Sequence, residues 1–258
     1  MKMFSFYKLH YWPGVTCGWF TFTFIITYLV SVLDGNVYAF FPYISDTGAL
    51  PPESCIFGLL VNIGAAILAA TMYIRYRQVD FAINCKDVDL HRMWNTLSII
   101  FGIIACFGIN LVANFQETTA SEIHFIGALL AFGIGILYFA VQTKISSSYL
   151  HIRNKTCTYG IGIRLLYFRI FLVFWMLPLF LANIICATLS VEQFTGESIV
   201  WWTENDGGFQ LRLAGSFTEW ILVLFIFIYI ATFTNEFKSF EYKGIQLVRN
   251  LKEVNNPI

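Results

Sequence analysis

The chain has 258 residues, of which 57% are hydrophobic and only 12% are charged, and its mean hydropathy is +0.66. Soluble domains carry about 25% charged residues, so this composition excludes a water-soluble globular protein and indicates a chain surrounded largely by lipid. The 16 basic and 16 acidic residues cancel, so nothing in the charge points to a nucleic-acid partner.

Six apolar stretches are long enough to cross the hydrocarbon core of a membrane, which takes about 20 helical residues. They predict an all-α integral membrane protein, a six-transmembrane-helix bundle over residues 1–240, followed by a tail at 241–258. The first stretch is longer than the apolar region of a cleaved signal peptide, so we expect a retained signal anchor. The predicted spans are about Thr16–Leu33, Cys55–Ile74, Met93–Ala113, Ile123–Val141, Phe168–Leu189 and Leu213–Phe233.

The basic residues predict the orientation, because Lys and Arg are retained on the cytosolic side of a membrane. All of the 16 except Arg212 fall in the N-terminus, the second-to-third loop, the fourth-to-fifth connection or the tail. Six spans place these four segments on one face, so both termini are predicted to be cytosolic. The sequon Asn154-Lys155-Thr156 is then cytosolic and expected to carry no glycan.

Two features of the spans bear on packing. The fourth span repeats small residues at Gly127, Ala131 and Gly135, and such a face lets two helices approach closely in lipid. Pro178 interrupts the fifth span and predicts a kink. A kink either shapes the bundle or marks a gate.

The first external loop, residues 34–54, is longer than a simple connector requires. Its aromatic residues suit the membrane interface, and Pro followed by Glu suits the start of a helix. Its length and specific chemistry also suggest that it binds something. The segment of interest contains Pro42, Tyr43, Ser45, Asp46, Thr47, Gly48, Pro51, Pro52, Glu53 and Ser54.

This loop resembles the signature of the DRAM proteins, the damage-regulated autophagy modulators of the wider Frag/DRAM/Sfk membrane family. The resemblance covers roughly residues 14–240 and is weakest around the fifth span and in the tail. Its main points are Phe41–Gly48, Pro51–Ser54, Ala70–Tyr73 with Arg75-Tyr76, Val112–Glu117, Gly127–Phe132 and Glu219-Trp220.

The resemblance implies a multi-pass membrane protein of lysosomes or endolysosomes that promotes autophagy and has no catalytic centre. Its expected partners are membrane lipids and proteins of the lysosome or autophagosome. Other relatives act at the plasma membrane, in a suggested mechanosensory channel and in GPI-anchor lipid remodelling. These relatives leave three alternatives open: a plasma-membrane location, a channel, transporter or accessory subunit, and a lipid-remodelling factor.

A sorting signal is predicted in the tail, where Tyr242 and Ile245 fit the pattern tyrosine-x-x-bulky apolar. A clathrin adaptor would bind such a segment as a short extended peptide and direct lysosomal delivery. Tyr76 and Val79 fit the same pattern but lie against the membrane, where an adaptor has poor access.

Three polar residues in or beside the spans are candidates for function: Glu219, His124 and Asn62. A carboxylate inside a span costs about 2.5–3.5 kcal/mol at the membrane centre, so Glu219 should be neutral, hydrated or paired with Asn62, Asn110 or His124. It acts either as structural glue or as a proton or ligand site. His124 is either a locally bonded helix-end residue or a pH sensor in an acidic lumen.

No motif for enzymatic chemistry or for a bound cofactor stands on a suitable element. The six cysteines are scattered without a paired spacing, which argues against a disulfide framework or a zinc site. The sequence therefore predicts no catalytic residue, no metal and no cofactor.

Overall fold

The computed structural model describes residues 8–151 and 161–240. These residues contain six helices that are long and apolar enough to cross a membrane, and no β-strand, so the predicted six-helix class is confirmed. We label the helices α1 Leu9–Leu33, α2 Glu53–Asn84, α3 Arg92–Asn114, α4 Ser121–Ser148, α5 Ile163–Glu192 and α6 Phe209–Phe237.

The connections define two ends of the bundle. The loop end carries residues 34–52, 115–120 and 193–208, and the terminal end carries residues 85–91 and the ends of α1 and α6 that lie nearest the chain termini. Several helices run past the predicted spans; α2, for example, continues from Ile74 to Asn84. Backbone hydrogen bonding continues beyond the point where the sequence stops being apolar, because helix and hydrocarbon need not end together.

The helices pack in chain order around a centre, and the ring closes where α6 meets α1. The interior of α1 is polar: Thr16, Thr23, Thr27 and Ser31 are fully buried. The Thr16 hydroxyl bonds that of Thr71 on α2 at 2.8 Å, so hydroxyl groups join these helices across an otherwise apolar contact.

The small-residue face of α4 packs on α3, as its spacing predicts. A Cβ atom added to Gly108 of α3 would lie 2.5 Å from the backbone nitrogen of Ala131 and 2.7 Å from the carbonyl oxygen of Gly127. Side chains at this crossing would force the two backbones apart. Beside it, α4 widens into a π-helical turn over Leu129–Ile134, a local feature that often accompanies functional sites.

Candidate functional site: the folded loop and the cavity beneath it

The first external loop folds into the bundle instead of standing out from it. Pro42, Tyr43, Ile44, Asp46 and the residues through Ala49 are buried, with Ser45 half-buried. Most side chains that carry the family resemblance therefore contact the protein itself, whereas Phe41, Pro51 and Pro52 are exposed. The large apolar residues exposed on the loop are Phe40 and Phe41.

Helix α6 holds the loop through its backbone. The Ile44 amide donates to Oε2 of Glu219 at 2.8 Å, and the Trp220 indole donates to the carbonyl oxygen of Pro42 at 3.0 Å. The Ser216 hydroxyl lies 2.8 Å from the carbonyl oxygens of both Phe41 and Pro42. These bonds satisfy loop backbone groups that have no water to bond inside the bundle.

Phe41 begins this inward turn with a φ of +53°, a left-handed conformation that bulky residues rarely adopt. Its ring stacks on Phe217 of α6 with centroids 3.9 Å apart. The stacking and the Ser216 bond hold the backbone in this conformation.

Arg212 of α6 joins two loops. Its Nη2 atom lies 2.7 Å from both carboxylate oxygens of Asp46, and its guanidinium lies between the rings of Tyr43, at 5.0 Å, and Trp202, at 4.4 Å. The Asp46 carboxylate also accepts the Tyr43 amide at 3.0 Å. Arg212 thus connects the loops 34–52 and 193–208. It is the only basic residue that the sequence predicts on the side opposite the termini.

Asp46 has acidic as well as basic neighbours. Burial raises its pKa well above the usual range, with contributions from the nearby Glu117 carboxyl, although Arg212 acts in the opposite direction. Burial, and next the charge of Glu219, also raise the pKa of the Tyr43 phenol, which therefore stays neutral. The folded loop therefore binds a proton at Asp46 more tightly than the unfolded chain does.

Beneath the loop lies a cavity of about 130 Å³ at the centre of the bundle, lined by α1, α2, α3, α4 and α6. Ile44 and Ser45 of the loop lie at one end of its lining. The only other side chains with nitrogen or oxygen atoms in the lining are His124 and Glu219. The rest of the wall is hydrocarbon, aromatic ring, the Met72 thioether and Gly135.

These two polar residues are the sequence-predicted candidates Glu219 and His124, and the structure brings them to one cavity. Of the alternatives open for Glu219, pairing with Asn62, Asn110 or His124 is not what the structure shows, because its hydrogen bond comes from the Ile44 amide. A backbone partner from a distant loop leaves no trace in side-chain spacing. Nδ1 of His124 lies 2.7 Å from the Phe115 carbonyl oxygen.

Asn62, the third candidate, lies elsewhere. It exchanges two hydrogen bonds of 3.0 Å with Asn114 and so ties α2 to α3 outside the cavity. Pro178, considered as a gate, is an exposed residue of α5, and α5 does not line the cavity. Its position fits a role in shaping the outer surface of the bundle.

The remaining signature residues stabilise the loop. The Thr47 hydroxyl bonds the carbonyl oxygen of Ile44 at 2.7 Å and the hydroxyl of Thr27 at 3.0 Å. The Asn36 amide donates to both oxygens of Glu53 at 2.9 and 3.0 Å. Gly48 lies so close to the Phe57 ring that a Cβ atom would come within 2.3 Å of it. Asp46 and Glu53 therefore have separate hydrogen-bond partners.

A second polar cluster, at the terminal end, was missed by the sequence reasoning. Arg75 of α2 and Arg169 of α5 both pair with Glu236 near the end of α6, and all three side chains are essentially unexposed. Arg75 also donates to Gln142 at 3.1 Å, and Arg169 donates from Nη1 to a serine hydroxyl of α4 at 2.7 Å. Arg75 lies just beyond the second predicted span and Arg169 at the first turn of the fifth, so the sequence indicated orientation for both and a point of the family resemblance for Arg75, but no shared partner.

The two sorting patterns differ in what the structure says of them. Tyr242 and Ile245 lie outside the described residues, as do Cys157 and the sequon at 154–156. Tyr76 and Val79 lie within α2, where Val79 is fully buried. This second pattern cannot be bound as an extended peptide while α2 is folded.

Within residues 8–151 and 161–240, no group of three or more His, Cys, Asp or Glu side chains is placed to hold a metal ion. The buried acids Asp46 and Glu53 are engaged by Arg212, by the Tyr43 amide and by Asn36. The arrangement is therefore suited to holding a loop and enclosing an apolar space.

Comparison with known proteins gives matches over most of the chain. The profile of the family described as Frag1/DRAM/Sfk1/Cwh43P N-terminal domain matches residues 9–240. DNA damage-regulated autophagy modulator protein 1 of Homo sapiens is 34% identical over 228 residues, covering 88% of this chain and 90% of that protein. The corresponding protein 2 of Bos taurus is 33% identical over 234 residues, covering 90% and 85%.

A shorter match is to a modulator of macroautophagy, TMEM150B-B of Xenopus laevis, which is 38% identical over 130 residues, or 50% of this chain and 54% of that protein. No solved structure matches the chain.

Proposed function

This chain belongs to the Frag1/DRAM/Sfk1/Cwh43P family of membrane proteins, and on that premise we propose that it modulates autophagy, in the promoting direction, from the lysosomal membrane. The observation that carries the proposal is the extent of the family match, which covers residues 9–240 and hence all six spans and the folded loop. Relatives matched over about nine-tenths of this chain are named as autophagy modulators.

The proposed mode of action is contact with other molecules and not catalysis. The signature loop supports this view, because its Ile44 amide, Asp46 carboxylate and Thr47 hydroxyl are engaged by other groups of the protein. Its outer edge instead presents apolar surface: a groove of about 550 Å³ is lined by α1 residues, Trp220 and the loop residues Phe40 and Phe41. Membrane lipids and proteins of the lysosome or autophagosome are the proposed partners of such a surface.

We further propose that both termini are cytosolic, so that Tyr242 and Ile245 are available to a clathrin adaptor. The charge distribution supports this orientation, since Arg212 is the only basic residue assigned to the opposite side. Delivery to the lysosome would then depend on the tail.

The proposed role is tested by deleting the protein and measuring turnover of autophagosome markers with and without a block of lysosomal degradation. Reduced turnover, restored by the wild-type chain, is expected. Unchanged turnover in the deleted cells would count against the proposal.

The proposed location is tested by imaging tagged protein against lysosomal markers. Tyr242→Ala is expected to move the protein from lysosomes to the plasma membrane. Tyr73→Ala is the matched control, because Tyr73 is an exposed tyrosine of α2 outside both sorting patterns. Equal lysosomal signal for wild type and Tyr242→Ala would contradict the sorting role.

A second candidate, a channel or transporter, is favoured by the central cavity and by the carboxyl group in its wall. Against an open pore stands the buried Arg75, Arg169 and Glu236 cluster at the terminal end. Purified protein in liposomes would show ion or solute flux that Glu219→Ala abolishes if the second candidate is correct. Absence of flux would leave the contact role as the better account.

A further inference from the structure

The central cavity has the shape of a site for one chain-like molecule. On α6 its lining runs from Glu219 to Ile230, a length of about 16 Å at 1.5 Å per helical residue. Its volume is only about 130 Å³, and an apolar cavity of about 150 Å³ holds a molecule the size of benzene. A long, narrow space of this volume admits part of a single alkyl chain and excludes two chains side by side.

The polar end of the cavity presents hydrogen-bond acceptors when Glu219 is ionised. Oε2 of Glu219 accepts the Ile44 amide, and no other described residue donates to this carboxyl group, so Oε1 lacks a protein partner. The side chain is only 8% exposed, so little water is available to compensate.

His124 adds a second acceptor. The Phe115 carbonyl oxygen can only accept, so the bond at Nδ1 places a hydrogen on that nitrogen. In the neutral imidazole the other nitrogen, Nε2, is then an acceptor, and the described residues offer it no donor. His124 lines the same cavity as Glu219, and the Ser45 hydroxyl in this lining is used by Glu117, so with Glu219 ionised the polar end has two acceptors and no free donor.

We propose that this cavity binds a single-chain amphiphile whose head group donates hydrogen bonds, an amine or a hydroxyl, with the head at Glu219 and His124 and the chain along α6. The site is independent of the proposed role in autophagy, since it rests only on the cavity and its two acceptors. A head group that can only accept, such as an ether, leaves both protein groups without a partner.

Binding is tested with the purified full chain in phosphatidylcholine nanodiscs, using dodecylamine that carries a photoreactive group on its chain. Cross-linking is expected in peptides that contain cavity residues such as Val223 and Phe227. Unlabelled dodecylamine or dodecanol should compete, whereas dodecyl methyl ether, which has no donor, should not. If dodecylamine competes and dodecanol does not, the head group is cationic. If dodecylamine and dodecanol both compete, a charged or a neutral donor is accepted.

The head-group assignment is tested by Glu219→Gln. The amide oxygen can still accept the Ile44 amide, so the loop keeps its bond, while an NH₂ donor replaces the free acceptor. Competition by dodecylamine should weaken about tenfold, the effect of losing one charge-assisted hydrogen bond. Thermal unfolding close to that of wild type would show that the loop remains in place.

The cavity itself is tested by Ala131→Phe, which introduces a ring into the lining. Because Ala131 also adjoins the close crossing of α3 and α4, thermal unfolding close to that of wild type is required of this variant. Cross-linking should be lost, whereas Ala66→Phe, the same change at an exposed position of α2, should leave it intact. The proposal is overturned if no probe cross-links to cavity peptides. It is also overturned if dodecyl methyl ether competes with the same strength as dodecylamine. Equal labelling of Ala131→Phe and Ala66→Phe would overturn it too, because labelling would then reflect partition of the probe into lipid.

Discussion

At the scale of single residues, the insertion of Tyr43 depends on the absence of a side chain at Gly215. A Cβ atom there would lie 1.8 Å from the Tyr43 hydroxyl and 2.9 Å from the ring carbon that carries it. Gly215→Ala is therefore expected to push the ring outward and to weaken the loop, which would appear as faster hydrogen exchange over residues 42–48. The measurement is exchange followed by mass spectrometry in nanodiscs.

The same contact offers a rescue. The Tyr43 hydroxyl is buried without a hydrogen-bond partner among the described residues, so Tyr43→Phe removes an unpaired polar group and is expected to be neutral or slightly stabilising. In the double variant Gly215→Ala/Tyr43→Phe the closest clash is gone, and protection of the loop should partly return. Exchange as fast as in Gly215→Ala alone would place the strain elsewhere.

Asp46 gives the loop a predicted pH dependence. Burial and the adjacent Glu117 raise its pKa in the folded loop, and the unfolded value is about 3.9. The folded loop therefore binds a proton more tightly, so this contribution to stability is fully present below the unfolded value and is lost as pH rises through the folded value. Other groups close to Asp46 are Arg212, Glu219 and His124.

Protection of residues 42–48, taken as the measured exchange rate relative to the intrinsic rate at the same pH, should thus be greater at lysosomal than at neutral pH. Asp46→Asn keeps an oxygen for Arg212 and the Tyr43 amide but cannot ionise, so the variant should lose most of this pH dependence. Glu122→Gln, an exposed acid of the same end of the bundle, is the control. An equally steep pH profile in Asp46→Asn would assign the effect to another group.

At the scale of the helices, one carboxylate ties together the terminal end. Glu236 of α6 pairs with Arg75 of α2 and Arg169 of α5, and the Gln78 amide donates to the Glu236 carbonyl oxygen at 2.6 Å. The arginines also lie over the ring of Phe233, at 5.3 and 4.9 Å. Three helices therefore converge on a charge that lipid cannot solvate.

Glu236→Gln is expected to destabilise the bundle by about 3–5 kcal/mol, because it leaves two buried guanidinium groups without a counter-charge. Asp80→Asn is the matched control: it removes the acid of the exposed Arg92–Asp80 pair, with side chains 56% and 21% exposed, and should cost less than about 1 kcal/mol. Denaturant-induced unfolding in micelles measures both. Similar losses for the two variants would mean that the buried cluster adds nothing beyond a surface pair.

The sequence predicted the membrane-spanning helices but not the contacts that join the loop to α6. Mean hydropathy identifies six spans because each helix must be apolar where it meets lipid, and small-residue spacing identified the α4 face that packs on α3. The partners of Glu219 and Arg212 come from a loop more than 160 residues away in the chain. Such pairing follows from the three-dimensional closure of the ring, which periodicity along one helix does not encode.

At the scale of the whole molecule, the separate points of the family resemblance meet in space. The loop Phe41–Gly48 bonds Glu219-Trp220, and the carbonyl oxygen of Phe115 bonds His124. The α4 segment at Ala131 and Phe132 lines the cavity, and Arg75 belongs to the terminal cluster. The points of the resemblance therefore lie at the folded loop end, around the interior cavity and in the terminal ion cluster, although they are scattered along the sequence.

The orientation of this whole assembly carries the last prediction. With the loop end in the lumen, the acidic cluster around Asp46 would face an acidic compartment, and the tail with Tyr242 would face the adaptors of the cytosol.

The orientation is tested by labelling cysteines in intact lysosomes. Cys85 is exposed beside the end of α2 at the terminal end. In a variant that has no other cysteine, a membrane-impermeant maleimide should label it. Asn205→Cys, at an exposed position of the loop end, should react in a cysteine-free background only after the membrane is permeabilised. The reverse pattern would place the tail in the lumen, where no clathrin adaptor could bind Tyr242, and lysosomal delivery would need another signal.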